Sequence, residues 1–145
     1  MVADLGSRVL IADRDSSLRQ SLFSRLLDLD LFSDCVSNGN DALEKLGEVG
    51  YAVAILDITL AGPDTLQVIQ KIAELDPATR PVVLVLAEQP EAARTLDVEI
   101  VQIILRKPID IQQLAELVQS CVRSAARTRT AITASHAPGG DQLIS

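Results

Sequence analysis

Aromatic side chains are nearly absent from this 145-residue chain, which has no tryptophan, one tyrosine and two phenylalanines. Any core it builds must be aliphatic, from Leu, Ile, Val and Ala, the usual filling of a parallel sheet flanked by helices. Basic charge is also in deficit, with a formal net charge of -7. That argues against nucleic acid or an anionic membrane as a partner, since each needs a basic face. Histidine occurs once, at His136 near the C-terminus, so no histidine dyad or zinc site can form within the patterned part of the chain. The two cysteines, Cys35 and Cys121, lie far apart and outside any metal-binding spacing, which reads as two reduced thiols. No apolar run approaches the roughly 20 residues that span a bilayer, and the first residues lack the basic-then-apolar order of an export signal. The chain is therefore expected to stay in the cytoplasm.

The apolar residues are arranged in short runs. Val9 to Ala12, Ala52 to Leu56, Val82 to Leu86 and Val101 to Leu105 are too short for helices and rich in β-branched residues, and they predict buried strands. The alternating run Phe32 to Val36 predicts a fifth strand at a sheet edge. Helical spacing fills the gaps. Leu18, Leu22, Leu26 and Leu27 form one stripe after the good cap residues Asp15 and Ser16. Ala42, Leu43 and Leu46 form a second stripe, Leu66, Val68, Ile69 and Ile72 a third, and Ile111, Leu114, Leu117, Val118 and Val122 the last. Glu88 to Leu96 is expected to be a further helix with poor patterning. Alternation of strand and helix with right-handed crossovers predicts a doubly wound (βα)5 sandwich around a five-stranded parallel sheet. One folded unit is expected over residues 8–124, with residues 1–7 as an N-terminal extension. Residues 125–145, rich in Ser, Thr, Gly and Pro, are expected to form a mobile tail or linker.

Ligands bind open parallel sheets outside the carboxyl ends of the strands. Asp13, Arg14 and Asp15 follow the first predicted strand, Asp57 follows the run Ala52 to Leu56, and Lys107 follows the last. Two carboxylates with a lysine opposite suit a hard cation and a phosphoryl group. Asp15 is more simply a helix N-cap, because a carboxylate there satisfies orphan N–H groups and suits the helix dipole. Arg123, Arg127 and Arg129 near the end of the last helix read as a solvated turn favoured by the same dipole.

In order along the chain, RVLIADRD, SNGNDALEKL, YAVAILDITLAGPDTLQVIQKI and LRKPIDIQQLAELV resemble the segments of response-regulator receiver domains, over roughly residues 8 to 122. The resemblance implies the flavodoxin-like strand order 2-1-3-4-5 and a module of two-component signal transduction rather than an enzyme. It implies that Asp57 accepts the phosphoryl group, that Asp13 and Asp57 with the backbone carbonyl of Thr59 ligate Mg2+, and that Lys107 pairs with the phosphoryl oxygens. A cis peptide before Pro108 is implied as well. Partners implied are a histidine kinase or phosphotransfer protein, and a downstream protein or a homodimer through the last strand and helix.

Several positions depart from the family pattern. Arg14 stands where the second acid is usual, Leu86 where a Ser or Thr caps the phosphoryl oxygen, Ile104 where an aromatic ring switches, Ala61 for a proline and Thr65 for a glycine. These departures point to an atypical member in which Mg2+ binds weakly and the switch positions Leu86 and Ile104 are degenerate. Arg14 either places its guanidinium against Asp13 and Asp57 or points outward toward surface acids. The competing functional reading is a pseudo-receiver that binds protein without a phosphoryl cycle. A nucleotide- or flavin-binding enzyme on the same architecture is disfavoured, because IADRDSSL offers acids where a phosphate cradle needs glycines.

Overall fold

The computed structural model describes residues 7–62 and 64–135, with side chains through Ala126. Five short β-rich runs become strands: β1 (Val9–Ala12), β2 (Ser33–Val36), β3 (Val53–Asp57), β4 (Val82–Ala87) and β5 (Val101–Arg106). They form one parallel sheet in the order β2-β1-β3-β4-β5. The four helical stripes become α1 (Ser16–Asp28), α2 (Gly39–Glu48), α3 (Thr65–Ala73) and α4 (Ile111–Ser135). Period-two alternation along the strands divides the core in two. Val9, Ile11, Val53, Ile55 and Leu84 face α1 and α4, while Leu10, Ala12, Ala54, Val83 and Val85 face α2 and α3.

Local chemistry fixes where the helices begin. Asp15 accepts hydrogen bonds from the N–H groups of Ser17 and Leu18, as expected of a cap. Asn38 does the same for Asp41, Asp64 for Gln67 and Asp110 for Gln113. At the edge of the sheet, Arg8 and Tyr51 clamp Asp34. Arg8 donates to its Oδ1 at 2.8 Å and the Tyr51 hydroxyl to its Oδ2 at 2.7 Å. Burial opposes ionisation of Asp34, but these two donors outweigh it and hold the carboxyl below its ordinary range. Tyr51 is buried, whereas Phe23 and Phe32 are exposed, so the core is aliphatic apart from one ring.

Two elements differ from the sequence expectation. Glu88 to Leu96 does not form an α-helix; Pro90–Ala93 makes a single 3-10 turn, whose N-terminus has no side-chain cap. Proline starts a turn readily but the four-residue segment lacks the apolar period that would extend it. The fourth crossover is therefore nearly helix-free. The second difference lies at the C-terminus, where α4 continues to Ser135 through the segment expected as an unstructured tail from residue 125. Between Ala125 and Ser135 there is neither glycine nor proline, and four alanines favour the helix already under way. Residues 136–145, with His136, and residues 1–6 of the expected N-terminal extension lie outside the described residues.

Adjacent leucines on α1 test this packing. Leu26 is fully buried and Leu27 is 44% exposed. Leu26→Ala should lower the unfolding free energy by about 2–5 kcal/mol in urea titrations. Leu27→Ala should lower it by less than about 1 kcal/mol.

Candidate functional site

The sheet delivers two carboxylates to one place. β1 and β3 are neighbours in register, with Ala12 beside Leu56, so Asp13 and Asp57, one residue on in each strand, emerge together at their carboxyl ends. Asp13 is fully buried and Asp57 is 4% exposed. The Lys107 ammonium, just beyond β5, lies 2.9 Å from Asp13 Oδ2 and 3.6 Å from Asp57 Oδ2. The Lys107–Pro108 peptide is cis, as the resemblance implies. These residues line an open cavity of about 920 Å3, walled also by Arg14, Thr59, Glu88 and Pro108.

Each carboxylate is held at both ends. Asp13 Oδ1 accepts from the Asp15 N–H at 2.9 Å, and the Asp13 carbonyl accepts from Arg19 Nη1 at 2.7 Å. Asp57 Oδ1 accepts from both the N–H and the hydroxyl of Thr59, each at 3.1 Å. The Thr65 hydroxyl, itself buried, donates to the backbone carbonyl of Asp57. Burial pushes the Asp13 carboxyl above its ordinary range and the Asp57 charge adds to this, against the Asp15 N–H and the Lys107 ammonium. Burial works against the charge on Lys107 as well, yet Asp13 and Asp57 hold it above its ordinary value.

Of the residues singled out in the sequence, Asp13, Asp57, Thr59 and Lys107 come together. Arg14 does not reach the two carboxylates. Its side chain is exposed on the cavity wall, and no ion pair joins it to Asp13 or Asp57; the cation between them is Lys107. Asp13 turns inward to meet the Asp15 N–H, so the next side chain turns out. Leu86 is fully buried among the residues facing α1 and α4, and its carbonyl accepts from the Ile58 N–H at 2.9 Å. Ile104 is 40% exposed on β5. The roles of Thr65, Arg19 and the Thr59 hydroxyl were not foreseen. A threonine one residue after the cap Asp64 was the only sequence signal for the first of these.

A magnesium ion takes hard oxygen donors, and the site offers them. Asp13 Oδ2 is buried and accepts no aligned hydrogen bond, its partner being the Lys107 ammonium. It could therefore turn to a metal together with Asp57. The donor set is thin: among the described residues no three Asp, Glu, His or Cys side chains converge.

Comparison with known proteins gives a consistent picture. The profile of the response regulator receiver domain matches residues 9–119. The transcriptional regulatory protein TctD of Salmonella typhimurium is 30% identical over 120 residues, which cover 82% of this chain and 53% of that protein. The chain thus spans about half the length of the curated relatives it matches. Among solved structures, the signal receiver domain of a putative Luxo repressor protein from Vibrio parahaemolyticus superposes with a TM-score of 0.76 at 20% identity, covering 86% of this chain and 96% of that one. The response regulator protein TrrA from Thermotoga maritima, solved in complex with Mg(2+)-BeF, gives 0.68 at 23% identity, covering 79% and 98%. At these identities the two structures establish a shared fold.

The raised Asp13 and Lys107 values act in the same direction on stability, in two separate pH ranges. Asp13 binds its proton more tightly in the folded state, so its contribution is complete below 3.8 and is lost as pH rises through its folded value. Lys107 likewise contributes below 10.5 and loses that contribution as pH climbs further. Urea titrations across pH should therefore show the Asp13→Asn curve lacking the decline above 3.8. Lys107→Met should lose about 2–3 kcal/mol at neutral pH, with the deficit shrinking on acidification as the carboxylates take up protons.

Proposed function

This chain belongs to the response regulator receiver domain family, the receiver modules of two-component signal transduction, and from that membership we propose that Asp57 is its phosphoryl acceptor. The observation that carries the proposal is the pairing of Asp57 with Lys107 at the carboxyl end of β3, on the wall of an open cavity. Phosphorylation on aspartate is standard for the family. Transfer from a phosphohistidine needs little covalent help from the acceptor protein. An Asp57 oxygen bonds to phosphorus as the donor's P–N bond breaks, and the electron pair leaves on the imidazole nitrogen. Lys107, anchored by Asp13, neutralises the phosphoryl oxygens. Thr59 holds Asp57 Oδ1 with two donors and so fixes the carboxylate plane.

Asp13, Asp57 and the Thr59 carbonyl would hold Mg2+, which when bound supplies further charge neutralisation. Arg14 on the same wall weakens that binding by adding positive charge where an ordinary receiver has an acid. Partners fitting this reading are a histidine kinase or phosphotransfer protein, then a downstream protein or a second copy docking on β5 and α4. The net charge of -7 speaks against nucleic acid binding by this module. Among the described residues no helix is long and apolar enough to cross a membrane, in keeping with a cytoplasmic setting. The module signals by contact and is not itself an enzyme. A pseudo-receiver is the second reading, favoured by the apolar Leu86 beside Asp57 in the sheet register.

Incubation with acetyl phosphate and Mg2+ separates the two. Intact mass should increase by one phosphoryl group in the wild type and stay unchanged in Asp57→Asn. An unlabelled wild type would favour the pseudo-receiver. Because Arg14 is exposed, its effect is screened. Arg14→Asp should therefore bind Mg2+ roughly tenfold more tightly than the wild type in NMR titrations; equal affinities would show that Arg14 does not influence the ion.

A further inference from the structure

Two threonine hydroxyls touch the acceptor residue, and neither lies on β4. Thr59 Oγ1 donates to the Asp57 carboxylate at 3.1 Å, and the Thr65 hydroxyl donates to the Asp57 backbone carbonyl. The neighbour of Asp57 on β4 is Leu86, which is apolar and sealed in the core. A hydroxyl is both donor and acceptor and turns about one bond, so Thr59 can redirect its proton from Oδ1 to an oxygen of an attached phosphoryl group. Its own N–H, also on Oδ1, stays in place while the hydroxyl moves. Thr65 is 1% exposed, so its hydroxyl has no solvent partner to exchange with. It therefore moves with the Asp57 carbonyl. Thr65 is also the first residue of α3, and the next residue, Leu66, is 42% exposed.

Resting on the phosphoacceptor reading of Asp57, we infer that the response of this site runs through these two hydroxyls into α3: Thr59 follows the phosphoryl group, and Thr65 is the positioning residue that ties the end of β3 to the first turn of α3. The surface that changes on phosphorylation is then the one around Leu66, and β4 stays largely as it is. Leu86 supplies no polar atom from its side chain, and its carbonyl is already committed to the Ile58 N–H.

Beryllium fluoride with Mg2+, a mimic of the phosphoryl group, provides the probe, read by amide chemical shifts of the full chain. In the wild type the largest shifts outside Asp57 should fall at Thr59, Thr65 and Leu66. Thr59→Val should weaken beryllium fluoride binding roughly tenfold and Thr59→Ser should restore it, since a hydrogen bond to a charged group is lost and regained. Thr65→Val should leave the affinity within roughly threefold but remove the Leu66 shift, and Thr65→Ser should bring that shift back. If Thr65→Val fails to fold, Thr65→Ala removes the same hydroxyl without adding bulk in the core, and a Leu66 shift that persists in either variant would overturn the route through Thr65. Saturable binding whose shifts centre on Leu86 and Ile104, unchanged in Thr59→Val, would overturn the inference and leave Asp57 as acceptor. Absence of any saturable shift at Asp57 would remove the acceptor reading, and this inference with it.

Discussion

Everything at this site depends on how two neighbouring carboxylates are kept buried. Asp13 and Asp57 leave water at the ends of adjacent strands, and among the described residues only the Lys107 ammonium reaches both. Taking a carboxylate out of water costs several kcal/mol even after relaxation, so the arrangement holds only because lysine and backbone donors converge there. The parallel register of β1 and β3 places the acids side by side, and the turn after β5 brings the cation. One ammonium against two carboxylates leaves an excess negative charge in a cavity open to solvent. Such a site is ready for a further cation or for the chemistry of an incoming phosphoryl group.

The same balance explains what Arg14 does and does not do. A guanidinium inserted between the carboxylates would have competed with Lys107 for the same oxygens. It lies outward on the wall instead, from where it can act on the carboxylates only as a field through partly solvated space. On the reading proposed for Asp57, acceptor chemistry rests on Lys107 and Asp13, and Arg14 would affect how readily a divalent ion joins them.

The sheet was legible in the sequence because its three central strands, β1, β3 and β4, are buried on both faces, and such strands are written as short aliphatic runs without interruption, while the edge strands β2 and β5 are partly exposed. Asp13, Asp57 and Lys107 were legible for a related reason, since the two acids stand directly after such a run and Lys107 follows the last apolar run with only Arg106 between. The edge strand was placed within one residue: Phe32 only lends its carbonyl to the Val9 N–H. Glu88 to Leu96 misled because proline and scattered apolar residues suit a helix start as well as a lone turn. The end of α4 misled in the opposite direction, because Ser and Thr suggested a linker while alanine sustained the helix. Side-chain direction was the least legible feature. Nothing in the order Asp13-Arg14-Asp15 says which of them turns inward, and Thr65 shows its hydroxyl bond only once β3 and α3 are docked.

The central claim is that a phosphoryl group resides on the Asp57 carboxylate. Borohydride reduces an aspartyl phosphate to homoserine, which marks the acceptor permanently. After phosphorylation by acetyl phosphate, reduction and peptide sequencing by mass spectrometry, homoserine should appear at position 57 and at no other aspartate. Homoserine at Asp13 or another position, or none anywhere in a folded protein, would contradict the account.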